Sequence, residues 1–234
     1  MNGHEDLFGQ ALWDYVNGQG RDLITWTSLS PPEILRTAYL FRDYDGMPTG
    51  ERLALTQSRG RILDVGAGSG SHSLWLQSKG LDVTALDDSR AACRTMEKRG
   101  VRRRLWADFF RFRPPHAYDT ILLLMNGAGI AGRARRLPLL MRRLKELLKP
   151  GGSAWIHASD IYYLYLLYDH PLPETGYYGD VDFFIRYGER CTSFPWTYPA
   201  PGLVVQEARR EGFVVREHCA GEDGDSLLEL IKGG

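Results

Sequence analysis

The chain has 234 residues, 25% charged and 43% apolar, which argues for one domain with additions, or at most two, and against wholesale disorder. Lys+Arg and Asp+Glu both number 29, so no global charge pulls the chain toward nucleic acid or an anionic membrane. Cys93, Cys191 and Cys219 are few, odd in number and far apart, which speaks for free thiols in a reducing compartment and against a disulfide framework or a metal site.

The start, Met1-Asn2-Gly3-His4-Glu5-Asp6, lacks the basic-then-apolar order of a signal peptide. The apolar run Ile161–Tyr168 is too short to span a bilayer, so a soluble cytoplasmic protein is expected. Leu7, Phe8, Leu12, Trp13 and Val16 recur at helical spacing and predict an amphipathic helix over residues 5–17. Ser30-Pro31-Pro32-Glu33 reads as a second helix start, with a serine cap and proline in the first turn. A mixed aromatic and charged stretch, Tyr39–Asp45, ends at Gly46-Met47-Pro48, and a further helix is predicted over 49–58.

The organising stretch is Arg61-Ile62-Leu63-Asp64-Val65-Gly66-Ala67-Gly68-Ser69-Gly70. Its first half reads as a strand buried on both faces, and a helical pattern follows through Leu74, Trp75 and Lys79. Strand, glycine turn and helix let a backbone approach a nucleotide-like ligand at the carboxyl end of a parallel sheet. Serines stand at 71 and 73 where a Gly-x-Gly-x-x-Gly pattern would need its last glycine, which argues against an NAD fingerprint. With Asp64 ahead of the glycines, the stretch resembles motif I of the class I S-adenosylmethionine (SAM)-dependent methyltransferases. The resemblance implies that Asp64, Gly66, Ala67, Gly68 and Gly70 bracket the methionine part of SAM. It also implies that the N-terminal segment forms a lid, with ordinary packing on the sheet edge as the equal alternative. Arg42 is the candidate there to meet a carboxylate of SAM or substrate.

Leu81–Leu86 is the second predicted strand and ends in Asp87-Asp88, where an acid can accept ribose hydroxyls. Ser89 then caps a helix to Lys98, and Gly100 ends it. Arg102–Phe110 reads as a third strand leading into an acid and two aromatics, and the resemblance puts Asp108 and Phe109, at that junction, beside the adenine. The arginine triplet reads as a solvated strand edge. Tyr118–Met125 is the fourth strand, followed by the pliable Asn126–Gly132 loop, where Asn126 is a candidate to orient a substrate or the SAM amino group. The Asn-Pro-Pro-Tyr pattern of amino-methylating DNA enzymes is absent, since Gly127 and Ala128 replace both prolines. A helix over 134–149 carries leucines on one face and Arg142, Arg143 and Lys145 on the other; Lys149-Pro150-Gly151-Gly152 closes it before a fifth strand, Ser153–His157.

Residues 158–201 are rich in aromatics, and Asp180–Tyr187 with Arg190–Tyr198 reads as a β-hairpin around Gly188-Glu189. A helix from Leu203 to Gly212, a strand Phe213–Cys219, a turn Gly221–Asp225 and a strand Ser226–Lys232 complete the chain. The expected fold is α/β: a seven-stranded, mostly parallel sheet with helices on both faces, antiparallel C-terminal strands, an N-terminal helical lid and an inserted hairpin. The expected division is a cap over 1–58 and a SAM-binding domain over 59–234, with an aromatic insert at about 160–201.

Methyl transfer from a sulfonium is an in-line displacement favoured by a water-poor, aromatic-lined site. His157 and Asp160, at the end of the fifth strand, are the candidate bases. Tyr163, Tyr178 and Trp196 join Arg42 as substrate candidates. A small-molecule N- or O-methyltransferase is the leading reading. A tRNA or rRNA methyltransferase and a SAM-binding protein without turnover are the alternatives, and an NAD or nucleotide-sugar enzyme is a distant fourth. Nucleic acid is not favoured as a partner, no metal is expected, and monomer and homodimer both stay open.

Overall fold

The computed structural model describes residues 5–219 and 226–234; the turn expected at Gly221–Asp225 lies outside the described residues. The chain opens with α1 (Leu7–Val16), capped by Asp6, whose carboxylate accepts the Gly9 N–H at 2.9 Å. β1 (Leu23–Thr27) and β2 (Ser30–Leu35) follow as an antiparallel hairpin. This corrects the helix expected at Ser30. Instead of capping a helix, Ser30 Oγ accepts the Thr27 N–H at 3.1 Å, and Thr27 Oγ1 accepts the Ser30 N–H at 3.1 Å. β2 is an edge strand, where Pro31 and Pro32 need not forfeit a ladder bond.

A 3-10 turn (Thr37–Phe41) and α2 (Thr49–Gln57) lead to β3 (Arg61–Val65) and α3 (Ser71–Ser78). β4 (Asp82–Asp87) and α4 (Arg90–Arg99) come next. The α4 helix is bounded as its sequence predicts: Ser89 Oγ accepts the Ala92 N–H at 2.9 Å, and Gly100 takes the left-handed C-cap with φ 89°. β5 (Arg104–Trp106) is shorter than expected, because Arg102 and Arg103 are exposed before it.

β6 (Tyr118–Leu123) precedes α5 (Leu137–Leu147), which buries Leu137, Leu140, Met141 and Leu144 at helical spacing. Arg143, expected on the solvated face, is 5% exposed and donates to Glu146 Oε2 at 2.8 Å. β7 (Leu148–Ala158) absorbs the Lys-Pro-Gly-Gly turn into its entry. Then come α6 (Tyr162–Leu167), the hairpin strands β8 (Asp180–Tyr187) and β9 (Arg190–Thr197), α7 (Pro201–Arg210), β10 (Phe213–Cys219) and β11 (Ser226–Lys232).

The seven-stranded sheet has the order β10-β11-β7-β6-β3-β4-β5. β4 with β5 and β6 with β7 are parallel; β7 with β11 and β11 with β10 are antiparallel. The inserted hairpin does not stand alone. β8 pairs with β1, giving a second, four-stranded antiparallel sheet in the order β2-β1-β8-β9.

Contacts divide the chain into two compact units. The first comprises residues up to 47, 63–112 and 182–194. One of its cores joins Leu7, Ala11 and Leu12 of α1 to Leu23, Leu40, Ala92, Ile185 and Tyr187. The second unit comprises 48–62, 113–181 and 195–234. Its β6, β7 and β11 bury Ile121, Leu122, Ala154, Ile156, Leu228 and Leu230 completely. Among the described residues no helix is long and apolar enough to cross a membrane.

Candidate functional site

In the first unit the site grows from the carboxyl ends of β3 and β4. Buried Asp64, one residue before the end of β3, accepts a hydrogen bond from Ser73 Oγ at 2.7 Å, fixing the first turn of α3 to the strand. The turn between them needs glycine: Gly66, Gly68 and Gly70 have φ of 69°, 55° and 82°. Their surroundings differ. Among the described residues, a Cβ on Gly66 would meet nothing within 4 Å, and one on Gly68 nothing nearer than 3.9 Å. A Cβ on Gly70 would lie 2.8 Å from Val101 Cγ2 and 2.9 Å from Met96 Cγ. Gly66 and Gly68 therefore leave room beside the backbone, whereas Gly70 lets the turn pack on α4. Ala67, between them, is buried.

Asp87 ends β4 and is buried. Its Oδ2 accepts the Gly68 N–H at 2.8 Å and its Oδ1 the Ser89 N–H at 2.8 Å. Burial pushes its carboxyl up to about 7 despite these two bonds, and the charges of Asp88 and Asp6 add to the rise. Asp88 is also raised, by desolvation and then by Asp6 and Asp108. Since Asp88 lies exposed at the surface, the neighbouring carboxylates are the firmer cause. Asp108 is half-buried, with its Oδ1 accepting the Phe110 N–H at 2.7 Å; Phe109 is 5% exposed and meets Phe110 edge-on.

Three residues that the sequence reading did not single out hold this region. Asp6, the cap of α1, also accepts Ser89 Oγ at 2.6 Å, so α1 is tied to the residue beyond Asp87 and Asp88. Ser69 Oγ donates to the Leu40 carbonyl in the 3-10 turn. Arg99 Nη1 reaches Ser69 O at 2.7 Å and Ser71 Oγ at 3.1 Å, while its guanidinium lies 4.9 Å from the centre of the Phe41 ring. Arg42, two residues past Leu40, donates to Tyr39 O at 2.8 Å and packs 4.1 Å over the Tyr39 ring. Asp6 carried a signal in its capping position; the Arg99 contact spans 30 residues and left none.

In the second unit, the loop just past β6 holds two successive non-glycine residues of positive φ, Met125 at 53° and Asn126 at 58°. The Asn126 N–H donates to His157 Nδ1 at 3.2 Å, and Asn126 Oδ1 is buried with no hydrogen bond among the described residues. A left-handed backbone is thus tied to β7 beside a buried acceptor that has no partner among the described residues.

Asp160, just past β7, accepts the Tyr162 N–H at 2.9 Å and Tyr178 Oη at 2.8 Å. Tyr165 Oη in turn donates to the Tyr178 carbonyl at 2.7 Å, and Tyr162 and Tyr165 each meet the Tyr178 ring edge-on. Burial, Tyr177 and Asp160 raise the Tyr178 phenol well above the usual range, so it stays protonated and keeps donating to Asp160. Tyr163, on α6, is 57% exposed. Trp196 packs on Gly129, where an added Cβ would lie 1.9 Å from its ring.

The methyltransferase-domain family matches residues 62–152, from β3 through the Lys-Pro-Gly-Gly stretch. The chain is 35% identical to a solved SAM-dependent methyltransferase of Bacteroides fragilis, in complex with S-adenosyl-L-homocysteine (SAH). That match covers 97% of this chain and 95% of the other, with a TM-score of 0.87. The chain belongs to the SAM-dependent methyltransferases. A curated relative, the cypemycin N-terminal methyltransferase of a Streptomyces species, is 30% identical over 102 residues. The match spans 42% of this methyltransferase and 42% of that relative. The sugar N-methyltransferase KedS8 of Streptoalloteichus covers 79% of this chain and 85% of its own at 15% identity and TM-score 0.55, which shows a shared fold.

The cofactor of the family is SAM, and the first unit of this methyltransferase fits it. Gly66 and Gly68 leave a cradle that side chains would fill. Asp87 is a buried carboxylate at the end of β4, bonded to this turn through the Gly68 N–H, and the acids Asp6, Asp88 and Asp108 suit a cationic ligand.

Proposed function

We propose that this methyltransferase acts on a nitrogen or oxygen of a small molecule, with an amine as the favoured acceptor. The reading rests on one observation: a carboxylate, Asp160, sits within a cluster of tyrosines at the end of β7. Carboxylate and aromatic faces together favour a cationic or amine-bearing partner. The names of the cypemycin N-terminal methyltransferase and the sugar N-methyltransferase support the same choice.

When bound, SAM supplies the methyl group as an electrophile on a sulfonium. Asp64, the Gly66–Gly70 turn, Asp87, Asp88, Asp108 and Phe109 are the residues that would hold it. Asp160 takes the proton that the acceptor must lose, and Tyr178 orients it. His157 is cast differently. Its Nδ1 accepts the Asn126 N–H, so the neutral ring carries its proton on Nε2 and presents a donor, which suits orientation better than proton removal. Tyr163 and Trp196, in the same unit as Asp160, complete the set of acceptor-side residues in this reading.

The test is transfer of labelled methyl from SAM into metabolite, peptide and RNA fractions, followed by Asp160→Asn and His157→Gln on the labelled product. Label in an amine-bearing metabolite, lost in Asp160→Asn, is expected. Label confined to RNA would replace the proposal with an RNA methyltransferase, and SAM binding without label in any fraction would leave a binder without turnover.

A further inference from the structure

A cavity of about 540 Å³ opens in the unit that carries β7, β10 and β11. Leu53 and Gln57 of α2 line it with Arg59, as do Trp155, Arg216, His218, Glu229 and Ile231 of the strands. None of these belongs to the cofactor or acceptor sets above. The strand register explains the assembly: Trp155 pairs with Glu229, which pairs with Arg216, so one cross-strand row brings an indole, a carboxylate and a guanidinium onto one face.

Trp155 is 3% exposed, and its indole Nε1–H is buried without an acceptor among the described residues. Buried donors of this kind are rare in native proteins and call for a partner. Its neighbour His218, 5.3 Å away ring to ring, also has a buried Nε2 that makes no hydrogen bond among the described residues. That nitrogen stands 3.8 Å from Glu229 Oε2, and Arg216 Nη1 stands 3.6 Å from the same oxygen, so Glu229 is balanced by charge but not closely bonded to either. The Arg59 guanidinium makes one long contact among the described residues, Nη2 to Gly151 O at 3.4 Å. Two guanidinium groups therefore face one carboxylate, and the cavity carries a net positive charge with an unpaired donor in its wall.

We propose that this cavity is a binding site for a small organic anion, a carboxylate or phosphate ester on an apolar body. The oxyanion accepts from Trp155 Nε1–H and from Arg59 and Arg216, and the body lies against Leu53 and Ile231. The inference is independent of what the methyltransferase methylates. Arg is suited to the role because its planar fork matches carboxylate and phosphate oxygens.

The test uses indole amide NMR on the full chain, whose six tryptophans give a countable set of N–H signals. Phenyl phosphate is the probe, benzyl alcohol the uncharged control, and Trp155→Phe assigns the signal. Phenyl phosphate should shift the Trp155 resonance saturably, and the exposed-residue double variant Arg59→Gln/Arg216→Gln should weaken that binding at least about tenfold while leaving SAH affinity unchanged. No shift with phenyl phosphate, an equal shift with benzyl alcohol, or equal affinity in the double variant would each overturn the proposal.

Discussion

Two strands of this methyltransferase end in left-handed turns, and they are built on different principles. After β3 the turn runs through Gly66, Gly68 and Gly70, for which positive φ carries no steric cost. After β6 it runs through Met125 and Asn126, for which it does. The first turn announces itself in the sequence and leaves room beside its backbone. The second gives no glycine signal at its strained residues and is tied to β7 by the Asn126 N–H to His157 bond. One is a cradle made by omission of side chains; the other positions side chains at the expense of backbone strain.

The strongest test of the cradle is Asp87→Asn. The carboxylate anchors the Gly68 and Ser89 N–H groups, and in the proposed reading it also holds the cofactor, so losing its charge should weaken SAH binding on the order of 100-fold, about 2.7 kcal/mol, by calorimetry. The pH dependence carries a definite sign. Because burial raises this carboxyl from 3.8 to about 7, the folded chain keeps a proton across that window that the unfolded chain has lost. Stability of the ligand-free protein therefore falls as pH rises from about 3.8 to about 7. Ligand binding runs the other way: if hydroxyl donors need the carboxylate, SAH affinity declines below about pH 7, approaching tenfold per unit. Asp87→Asn should flatten both slopes, and an unchanged SAH profile would remove Asp87 from the cofactor site.

A smaller effect separates the glycines from one another. Gly70→Ala drives a Cβ to 2.8 Å from Val101 and 2.9 Å from Met96, so it should cost about 2 kcal/mol of stability through crowding and left-handed strain. Gly68→Ala meets no such wall; it should cost about 1 kcal/mol of stability yet weaken SAH binding at least about tenfold. Denaturant unfolding and SAH titration of the two variants together check the difference. If both lose stability alike and bind alike, the turn has no cradle and the glycines serve the fold alone.

What was legible in the sequence followed short-range chemistry. β4 ending at Asp87, the Ser89 and Gly100 caps of α4, and the β8–β9 hairpin all depend on residues within one element of each other. The misread stretch, Ser30-Pro31-Pro32-Glu33, carries the same letters as a helix start. It becomes a strand because β1 is there to pair with it, and β1 pairs in turn with β8, more than 150 residues on: the Asp182 N–H donates to Ser28 Oγ across 154 residues. No local pattern encodes that. The candidate site divides in the same way. The acids at strand ends were readable because strand ends are readable. The Arg99 bridge to Ser69 and the Asp6 bond to Ser89 join segments far apart in the chain and emerged only from the fold.

The mildest prediction bears on the second turn. Met125→Gly removes the steric penalty of a left-handed residue, worth about 1 kcal/mol, and should raise the melting temperature by about 2–4 °C in a chain of this size. The added backbone freedom of glycine in the unfolded chain works against this gain, so the net rise is expected at the lower end of that range. Asn126→Gly should yield less, because asparagine tolerates the left-handed region better than methionine does. It also deletes the buried Oδ1, and so separates the strain of the turn from the use of its side chain. A melting temperature that falls in Met125→Gly would mean that contacts of the Met125 side chain outweigh its strain. The β6 turn would then be held by packing, as the Gly70 end of the first turn is, and the contrast between the two turns would narrow to their glycines.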